Sequence, residues 1–314
     1  MTETITAMTV SVEDYRPGRD LDDELASLGY TAVQGWPDQR PTNPALVRSM
    51  LRPAGMSAST AVLMRDQDRS LLAAAALRWP ATLDAPGRLW GPIVHPDTRG
   101  RGIGRVLMQT VGDLIAAHPG VTFITTEIPE SRTAGWALFE RHGWRSAAMS
   151  TLLARPLPGD EAAPSPIPVR AARKGEYLAT ALATLFASCR PDISPNTARD
   201  TSTRWSGDSR YTPDGLLLAE GPQHLLGAAL VYPARHHSAD EPPEARLADL
   251  LIWHGLDHPT AHDIRTALVA AALRAGAAAG ASTARAVTDD PDLIATLLAA
   301  GFKPVDKIRH YTGP

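Results

Sequence analysis

The chain has 314 residues, 44% apolar and 21% charged, with a formal net charge of −3. This length favours two domains, since a domain usually holds about 100–200 residues. The charge excludes the broad basic surface typical of nucleic-acid-binding proteins. The single cysteine, Cys189, excludes an internal disulfide and favours a reducing compartment. Since no segment has the pattern of a signal peptide or a membrane span, we predict a cytoplasmic protein with no membrane or nucleic-acid partner.

The first half of the chain alternates between strand and helix patterns. Its predicted strands are Thr9–Arg16, Thr60–Arg65, Ser70–Trp79, Arg88–His95, Val121–Ile128 and Trp144–Ala154. Its predicted helices are Asp20–Val33, Asn43–Leu51, Arg101–His118 and Arg132–His142. The second and third strands flank a short polar connection, which predicts an antiparallel hairpin. This order predicts an α/β fold with a mixed sheet.

A proline-rich stretch, Pro156–Pro168, divides the chain. It reads PLPGDEAAPSPIP, and its five prolines exclude a helix or a central strand. We therefore predict an N-terminal domain at 1–156, a linker at 157–167 and a C-terminal domain at 168–314.

The second half repeats the element order of the first. Its predicted strands are Val169–Ala172, Leu216–Glu220, Leu225–Tyr232, Arg246–Trp253, Ala284–Val287 and Phe302–Tyr311. Its predicted helices are Lys174–Ser188, Asn196–Trp205, Ala261–Gly280 and Asp292–Ala300. The last predicted helix of each half ends at a glycine followed by an aromatic residue, Gly143-Trp144 and Gly301-Phe302. These two pairs lie roughly 160 residues apart, which indicates an internal duplication.

The most informative segment is Leu89–Met108, which reads LWGPIVHPDTRGRGIGRVLM. A strand pattern leads through a glycine-rich turn directly into an amphipathic helix. Because the first turn of a helix leaves backbone N–H groups unpaired and glycines allow close approach, such a turn can bind a phosphate or pyrophosphate. Arg99, Arg101 and Arg105 add cationic donors around it.

Two other phosphate-binding motifs fit this turn less well. A Walker loop requires GxxxxGK[ST], which the chain lacks. A dinucleotide fingerprint requires GxGxxG, whereas Gly100, Gly102 and Gly104 give GxGxG. Glu127 has the spacing of a ribose-binding acid, but the turn follows an antiparallel hairpin and not the parallel βαβ unit of that fold.

The segment resembles the coenzyme A motif of the GNAT superfamily of N-acetyltransferases, [R/Q]xxGx[G/A]. Arg99, Gly102 and Gly104 fill this pattern. The element order of the first half is also similar to that fold, so the resemblance implies two tandem GNAT-like acyl-CoA N-acyltransferase domains. Acetyl-CoA is the implied co-substrate, and no metal is implied.

The resemblance also implies which residues bind coenzyme A. The backbone of Ile93–His95 would pair with the pantetheine arm, and the N–H groups of Arg101–Arg105 would bind the pyrophosphate. An N–H near Val94 would stabilise the oxyanion. The predicted coenzyme-binding residues are Ile93, Val94, His95, Arg99, Gly100, Arg101, Gly102, Ile103, Gly104 and Arg105.

The resemblance identifies the catalytic acid and base less directly than the coenzyme-binding residues. Many family members carry a tyrosine four residues before a Gly-Phe pair, and an asparagine at the start of the same helix. Here Phe139 and Arg132 stand at those positions, so the acid is unassigned. Glu127 is the first candidate for the base because it ends the strand beside the coenzyme, and His95 is the second because imidazole titrates near neutral pH.

The second half departs further from the family pattern. The segment Leu256–Ile264 has no arginine–glycine motif, and Asp257 and Asp263 would repel a pyrophosphate. Leu297 takes the tyrosine position. We therefore predict that this half is degenerate and does not bind coenzyme A.

Three functions remain open from the sequence. The first is an N-acetyltransferase that transfers an acetyl group from acetyl-CoA to a primary amine of a small molecule or peptide, by direct attack on the thioester. The second is a non-catalytic acyl-CoA-binding sensor, and the third is an interaction module without a ligand. We expect a monomer or homodimer; the acceptor and the acyl chain length stay open.

Overall fold

A computed structural model describes residues 8–39, 42–51, 56–80, 86–157, 167–190, 195–208, 210–234 and 243–313. The elements of the first half are β1 Thr9–Asp14, α1 Arg19–Val33, α2 Pro44–Leu51, β2 Met56–Arg65, β3 Leu71–Pro80, β4 Gly87–Val94, α3 Ile103–Ala116, β5 Ile124–Pro129, α4 Thr133–Arg141 and β6 Arg145–Pro156. Every strand and helix predicted there is present, with ends shifted by a few residues. The α/β class is confirmed.

The strands and helices predicted in the second half are also present, with ends shifted by a few residues. Its elements are β7 Val169–Ala171, α5 Ala179–Cys189, α6 Pro195–Gly207, β8 Leu216–Glu220, β9 Leu225–Ala234, β10 Glu244–Ile252, α7 His258–Ala278, β11 Thr283–Thr288, α8 Pro291–Ala299 and β12 Lys303–Gly313. Although α7 is long and rich in alanine, none of the helices in the described part of the chain has the length and apolar character needed to cross a membrane.

The chain divides into two compact units. The first comprises Met1–Ser150 and Asp306–Pro314, and the second Thr151–Val305. The last nine residues therefore group with the first unit, whereas the sequence placed them in the C-terminal domain. The predicted linker falls largely on residues 158–166, which lie outside the described residues.

In the first unit the strand order is β1-β2-β3-β4-β5-β12-β6. The pairs that β1 forms with β2, β2 with β3, β3 with β4, and β5 with β12 are antiparallel, whereas β4 and β5 are parallel. One face of this sheet packs on α3 and α4 through a core that includes Leu107, Val111, Phe139 and Tyr311. Helices α1 and α2 cover β2, β3 and β4 on the other face.

The second unit has a sheet of the same kind. Strands β10 and β11 are parallel, and the pairs formed by β11 with β6, β9 with β10, β8 with β9, and β7 with β8 are antiparallel. Helices α7 and α8 pack on one face, and α5 and α6 on the other. The matching element order fits the predicted duplication.

The C-terminal segment is firmly built into the first unit. Residues Ile308–Gly313 pair with Pro129–Ile124 of β5, and the Tyr311 side chain is fully buried between the sheet and α4. Its hydroxyl donates to Glu140 Oε1 at 3.0 Å, and burial raises the pKa of Tyr311. This segment therefore completes the hydrophobic core of the first unit.

Candidate active site

The parallel strands β4 and β5 separate soon after they meet. Their ladder has only two pairs, Gly87 with Ile124 and Arg88 with Thr125. The Thr126 hydroxyl then donates to Leu89 O at 3.0 Å, and no further ladder pair follows among the described residues. The facing edges Trp90–Val94 and Thr126–Pro129 therefore form an open wedge in the sheet, and main-chain groups along it can pair with an extended ligand.

A β-bulge bends β4 where the wedge opens. Its pairing with β3 shifts between Ala76–Trp90 and Ala74–Ile93, so β4 contains one extra residue. Gly91 lies at φ +84, and a Cβ there would come within 2.8 Å of Ala74 O. Glycine is therefore required at this position, and the bulge turns the end of β4 away from β5.

The turn from β4 into α3 presents a row of backbone donors. Gly100 and Gly102 have φ values of +78 and +82, and a Cβ on either would meet no atom within 4 Å. Gly102 caps α3 without a side-chain hydrogen bond. Among the described residues, the backbone N–H groups of Gly100 through Gly104 have no hydrogen-bond acceptor. Five consecutive N–H groups at a helix N-terminus are thus available to an anion, and pyrophosphate binding here stays a prediction.

Two arginines of the turn, which were expected to offer hydrogen-bond donors to the pyrophosphate, already bond to the protein itself. The Arg105 N–H already donates to Gly102 O at 3.0 Å, so it is part of the helix. The Arg99 guanidinium bonds Val94 O at 3.2 Å and Ala32 O at 2.8 Å, which ties the end of β4 to the end of α1. Burial, and secondarily the charge of Arg132, lowers the Arg99 pKa. Arg99 thus shapes the turn, whereas Arg101 is exposed beside it.

His95 lies at the end of β4 and caps the short helical turn that follows. The ring Nδ1 of His95 accepts from the backbone N–H of Asp97 at 3.4 Å. The backbone N–H of His95 donates to Leu72 O at 2.8 Å. The imidazole is about one-third exposed. These contacts give His95 a structural role at the mouth of the turn, and its catalytic role stays a prediction.

Arg132 bridges the start of α4 to the loop after α1. Its guanidinium donates to Asp38 Oδ1 at 2.8 and 3.0 Å and stacks over Trp36 at 5.1 Å. Both charged side chains are mostly buried. The residue at the family's asparagine position is therefore held in an ion pair that fixes the α1–α2 loop.

We expect Arg132→Ala to lower the free energy of unfolding by about 2 kcal/mol, because it leaves the Asp38 carboxylate without its partner. A double-mutant cycle with Asp38→Ala, measured by urea denaturation, should give a coupling energy of about 1–2 kcal/mol. Arg141→Ala, an exposed arginine at the other end of α4, should cost less than about 0.5 kcal/mol. Additive single-variant costs would show that the pair does not fix the loop.

Glu127 lies on the β5 edge of the wedge and is about half exposed. Directly across the ladder is His310, whose Nδ1 is 3.9 Å from Glu127 Oε1. His310 Nε2 in turn lies 2.7 Å from the hydroxyl of Ser150 on β6. The sequence reasoning missed His310 and Ser150, because no local pattern indicates that the last strand pairs with β5.

The family's tyrosine position offers no proton donor here. Phe139 is buried and makes an edge-on contact with Trp144 at 5.1 Å. The nearby Tyr311 hydroxyl is occupied by Glu140. Phe139 therefore serves packing, as the sequence indicated.

The corresponding helix start in the second unit is closed. Asp257 caps α7, and its carboxylate accepts from the Thr260 N–H at 2.8 Å. That hydrogen bond also lowers the Asp257 pKa. An anion would meet a carboxylate at this position, in contrast to the uncapped turn before α3.

Comparison with known proteins matches this geometry to one fold. Residues 61–146, which hold β4, the turn, α3 and the wedge, match the family model described as an acetyltransferase (GNAT) domain. A tandem GNAT protein from the clavulanic acid biosynthesis pathway is 19% identical, with a TM-score of 0.72 over 98% of this chain and 99% of that one. This chain has the tandem GNAT fold.

Two further solved structures are similar in fold to this chain. A GCN5-related N-acetyltransferase from Sphaerobacter thermophilus is 18% identical, with a TM-score of 0.69 over 97% of this chain and 95% of that one. The Saccharomyces cerevisiae N-myristoyltransferase with bound myristoyl-CoA is 11% identical, with a TM-score of 0.70 over 99% and 83%. No curated protein sequence matches this chain. The resemblance to a tandem GNAT protein is confirmed at the level of the fold.

Proposed function

We propose that this tandem GNAT protein binds acetyl-CoA in its first unit and transfers the acetyl group to a primary amine. One observation carries the proposal: the N–H groups of Gly100–Gly104 have no acceptor within the described chain, and they lie at the end of the open wedge. The turn would hold the pyrophosphate, and the wedge edge Trp90–Val94 would hold the pantetheine arm. The capped start of α7 supports one coenzyme site per chain.

The chemistry is a direct transfer. The amine nitrogen attacks the thioester carbonyl, the carbonyl oxygen becomes an oxyanion, and the thiolate leaves. The ammonium form of the acceptor loses two protons, one to a base before attack and one to the departing thiolate. Glu127, at the wedge edge, is positioned to attract the ammonium group. Thiolate is a good leaving group, so Phe139 is compatible with turnover.

Calorimetry with acetyl-CoA tests the coenzyme site. We expect saturable binding with one site per chain, and an absence of heat would refute both the transferase and the sensor. Acyl chain length is tested in the same titration, because the fold is shared with a protein that holds myristoyl-CoA. We expect acetyl-CoA to bind at least as tightly as myristoyl-CoA, and tighter myristoyl-CoA binding would reassign the donor.

Glu127→Gln should lower kcat for the best acceptor by about 100-fold, because it removes the carboxylate that attracts the ammonium group and assists its deprotonation, and proton transfer typically contributes 10²- to 10⁴-fold. Thiol release across a panel of amines identifies the acceptor and measures this rate. The KM for acetyl-CoA should stay within about twofold, since the interaction acts on the acceptor. Glu13→Gln, an exposed carboxylate on β1, is the matched control. An unchanged kcat would remove Glu127 from the mechanism.

An acyl-CoA-binding sensor is the second candidate, and Phe139 at the family's acid position favours it. It predicts tight acetyl-CoA binding with no thiol release for any amine in the panel. The interaction module without a ligand predicts no binding of either acyl-CoA.

A further inference from the structure

Three polar side chains on neighbouring strands of the first unit form a continuous line. Glu127 on β5, His310 on β12 and Ser150 on β6 follow one another, with 3.9 Å from Glu127 Oε1 to His310 Nδ1 and 2.7 Å from His310 Nε2 to Ser150 Oγ. The Ser150 residue is 7% exposed, whereas the His310 and Glu127 side chains are 30% and 48% exposed. The line therefore runs from the interior to the wedge edge.

All three side chains project from the sheet face opposite α3 and α4. Ile128 and Tyr311, next in sequence to Glu127 and His310, belong to the core on the α3–α4 side. Since side chains alternate along a strand, Glu127 and His310 point the other way. Ser150 contacts the same imidazole and so lies on the same face.

Resting on the proposed function, we propose that His310 is the proton-accepting base of the transferase, with Glu127 and Ser150 as its partners. A carboxylate has an ordinary pKa near 4.3 and an imidazole near 6.5, so an imidazole is the stronger base by about two pH units. Efficient proton transfer at neutral pH favours the stronger base. Glu127 attracts the acceptor's ammonium group and stabilises the imidazolium that forms.

The Ser150 hydroxyl can accept from or donate to Nε2, so the proposal specifies the tautomer that a base requires. With Nε2–H donated to Ser150 Oγ, the lone pair of Nδ1 faces Glu127 and the wedge. The ammonium proton passes to Nδ1, the neutral amine attacks the thioester carbonyl, and the second proton leaves with the thiolate as a thiol. His310 then returns its proton to solvent, so the net reaction releases one proton. Ser150 is a positioning residue that fixes the ring.

The surrounding charges explain why the carboxylate is needed. Arg78 and Arg88 alternate onto this same face of β3 and β4, and Arg78 interacts electrostatically with Glu127 and Arg88. Burial, more than the charge of Arg88, lowers the pKa of Arg78 to about 10. Both cations disfavour an imidazolium nearby, and Glu127 offsets them. The side chains of Arg309 and Tyr311 contact α4 on the opposite face.

The kinetic test compares kcat against pH for the wild type, His310→Gln, Ser150→Ala and Glu127→Gln. His310→Gln should lower kcat by about 100-fold and remove the acid limb, with the KM for acetyl-CoA unchanged. Glu127→Gln should lower kcat but keep an acid limb, because His310 is still present. Ser150→Ala should lower kcat by about three- to tenfold. His142→Gln, a histidine after α4 in the same unit, should change nothing.

Nuclear magnetic resonance of the histidine rings tests the pair without any acceptor, with the His310 signals assigned by their loss in His310→Gln. Glu127→Gln should shift the His310 ring signals, because the imidazole loses its contact with the carboxylate. Ser150→Ala should change the ring nitrogen shifts from the Nε2–H form to a tautomer mixture.

Unchanged His310 ring signals in Glu127→Gln, or a wild-type pH profile in His310→Gln with wild-type turnover established, would overturn this proposal and leave the transferase intact. Failure of acetyl-CoA to bind the wild-type protein would instead refute the proposed function.

Discussion

Gly102→Glu should lower the affinity for acetyl-CoA by at least about 100-fold while the fold persists. Gly102 caps α3 at φ +82, and its N–H is one of five in the turn that have no acceptor in the described part of the chain. A carboxylate there would lie where we place the pyrophosphate, and the two negative groups would repel in a site built to attract an anion. Calorimetry with acetyl-CoA measures the loss directly.

The chain offers a closely matched control for this substitution. Gly143 after α4 has φ +80, and, as at Gly102, a Cβ would meet no atom within 4 Å. Gly143→Glu therefore carries the same backbone strain, about 1–2 kcal/mol in each case, and the same added charge. It should bind acetyl-CoA like the wild type. Equal affinity of both variants would place the coenzyme elsewhere.

Tyr311→Ala should lower the free energy of unfolding by about 3–5 kcal/mol, which is the range for removing a buried aromatic side chain. Tyr311 is fully buried beside Phe139 and Trp144, although only three residues follow it in the sequence. Tyr311→Phe keeps the packing and loses only the hydrogen bond to Glu140, so it should cost about 1 kcal/mol. Urea denaturation followed by circular dichroism measures both.

Tyr177→Ala is the control for this series, because Tyr177 is 82% exposed. Its cost should stay within about 0.5 kcal/mol. If Tyr311→Ala were equally mild, the C-terminal segment would not be part of the core of the first unit. A large cost would also explain how His310, one residue earlier, is held against β5.

Sequence reasoning succeeded where the signal is local. The strand, the turn Arg99–Gly104 and the helix after it lie within thirty consecutive residues. The glycine spacing, the strand pattern and the helical period therefore all come from one continuous segment. The degenerate turn of the second half was equally visible, because Asp257 is a strong helix cap wherever a helix follows. The element order was visible for the same reason.

The proposed base and the unit boundary depend on contacts between residues far apart in the chain. Glu127 and His310 are 183 residues apart and become neighbours only because β12 pairs with β5 in one register. Arg132, which stands at the family's asparagine position, meets Asp38 across 94 residues. A one-residue slip in that register would turn His310 into the core and Tyr311 out of it. The sequence alone determined the glycine-rich turn between β4 and α3, because that signal is local. The packing of the final strand decided which side chains face the wedge, because register is set by burial of the whole strand and not by any short motif.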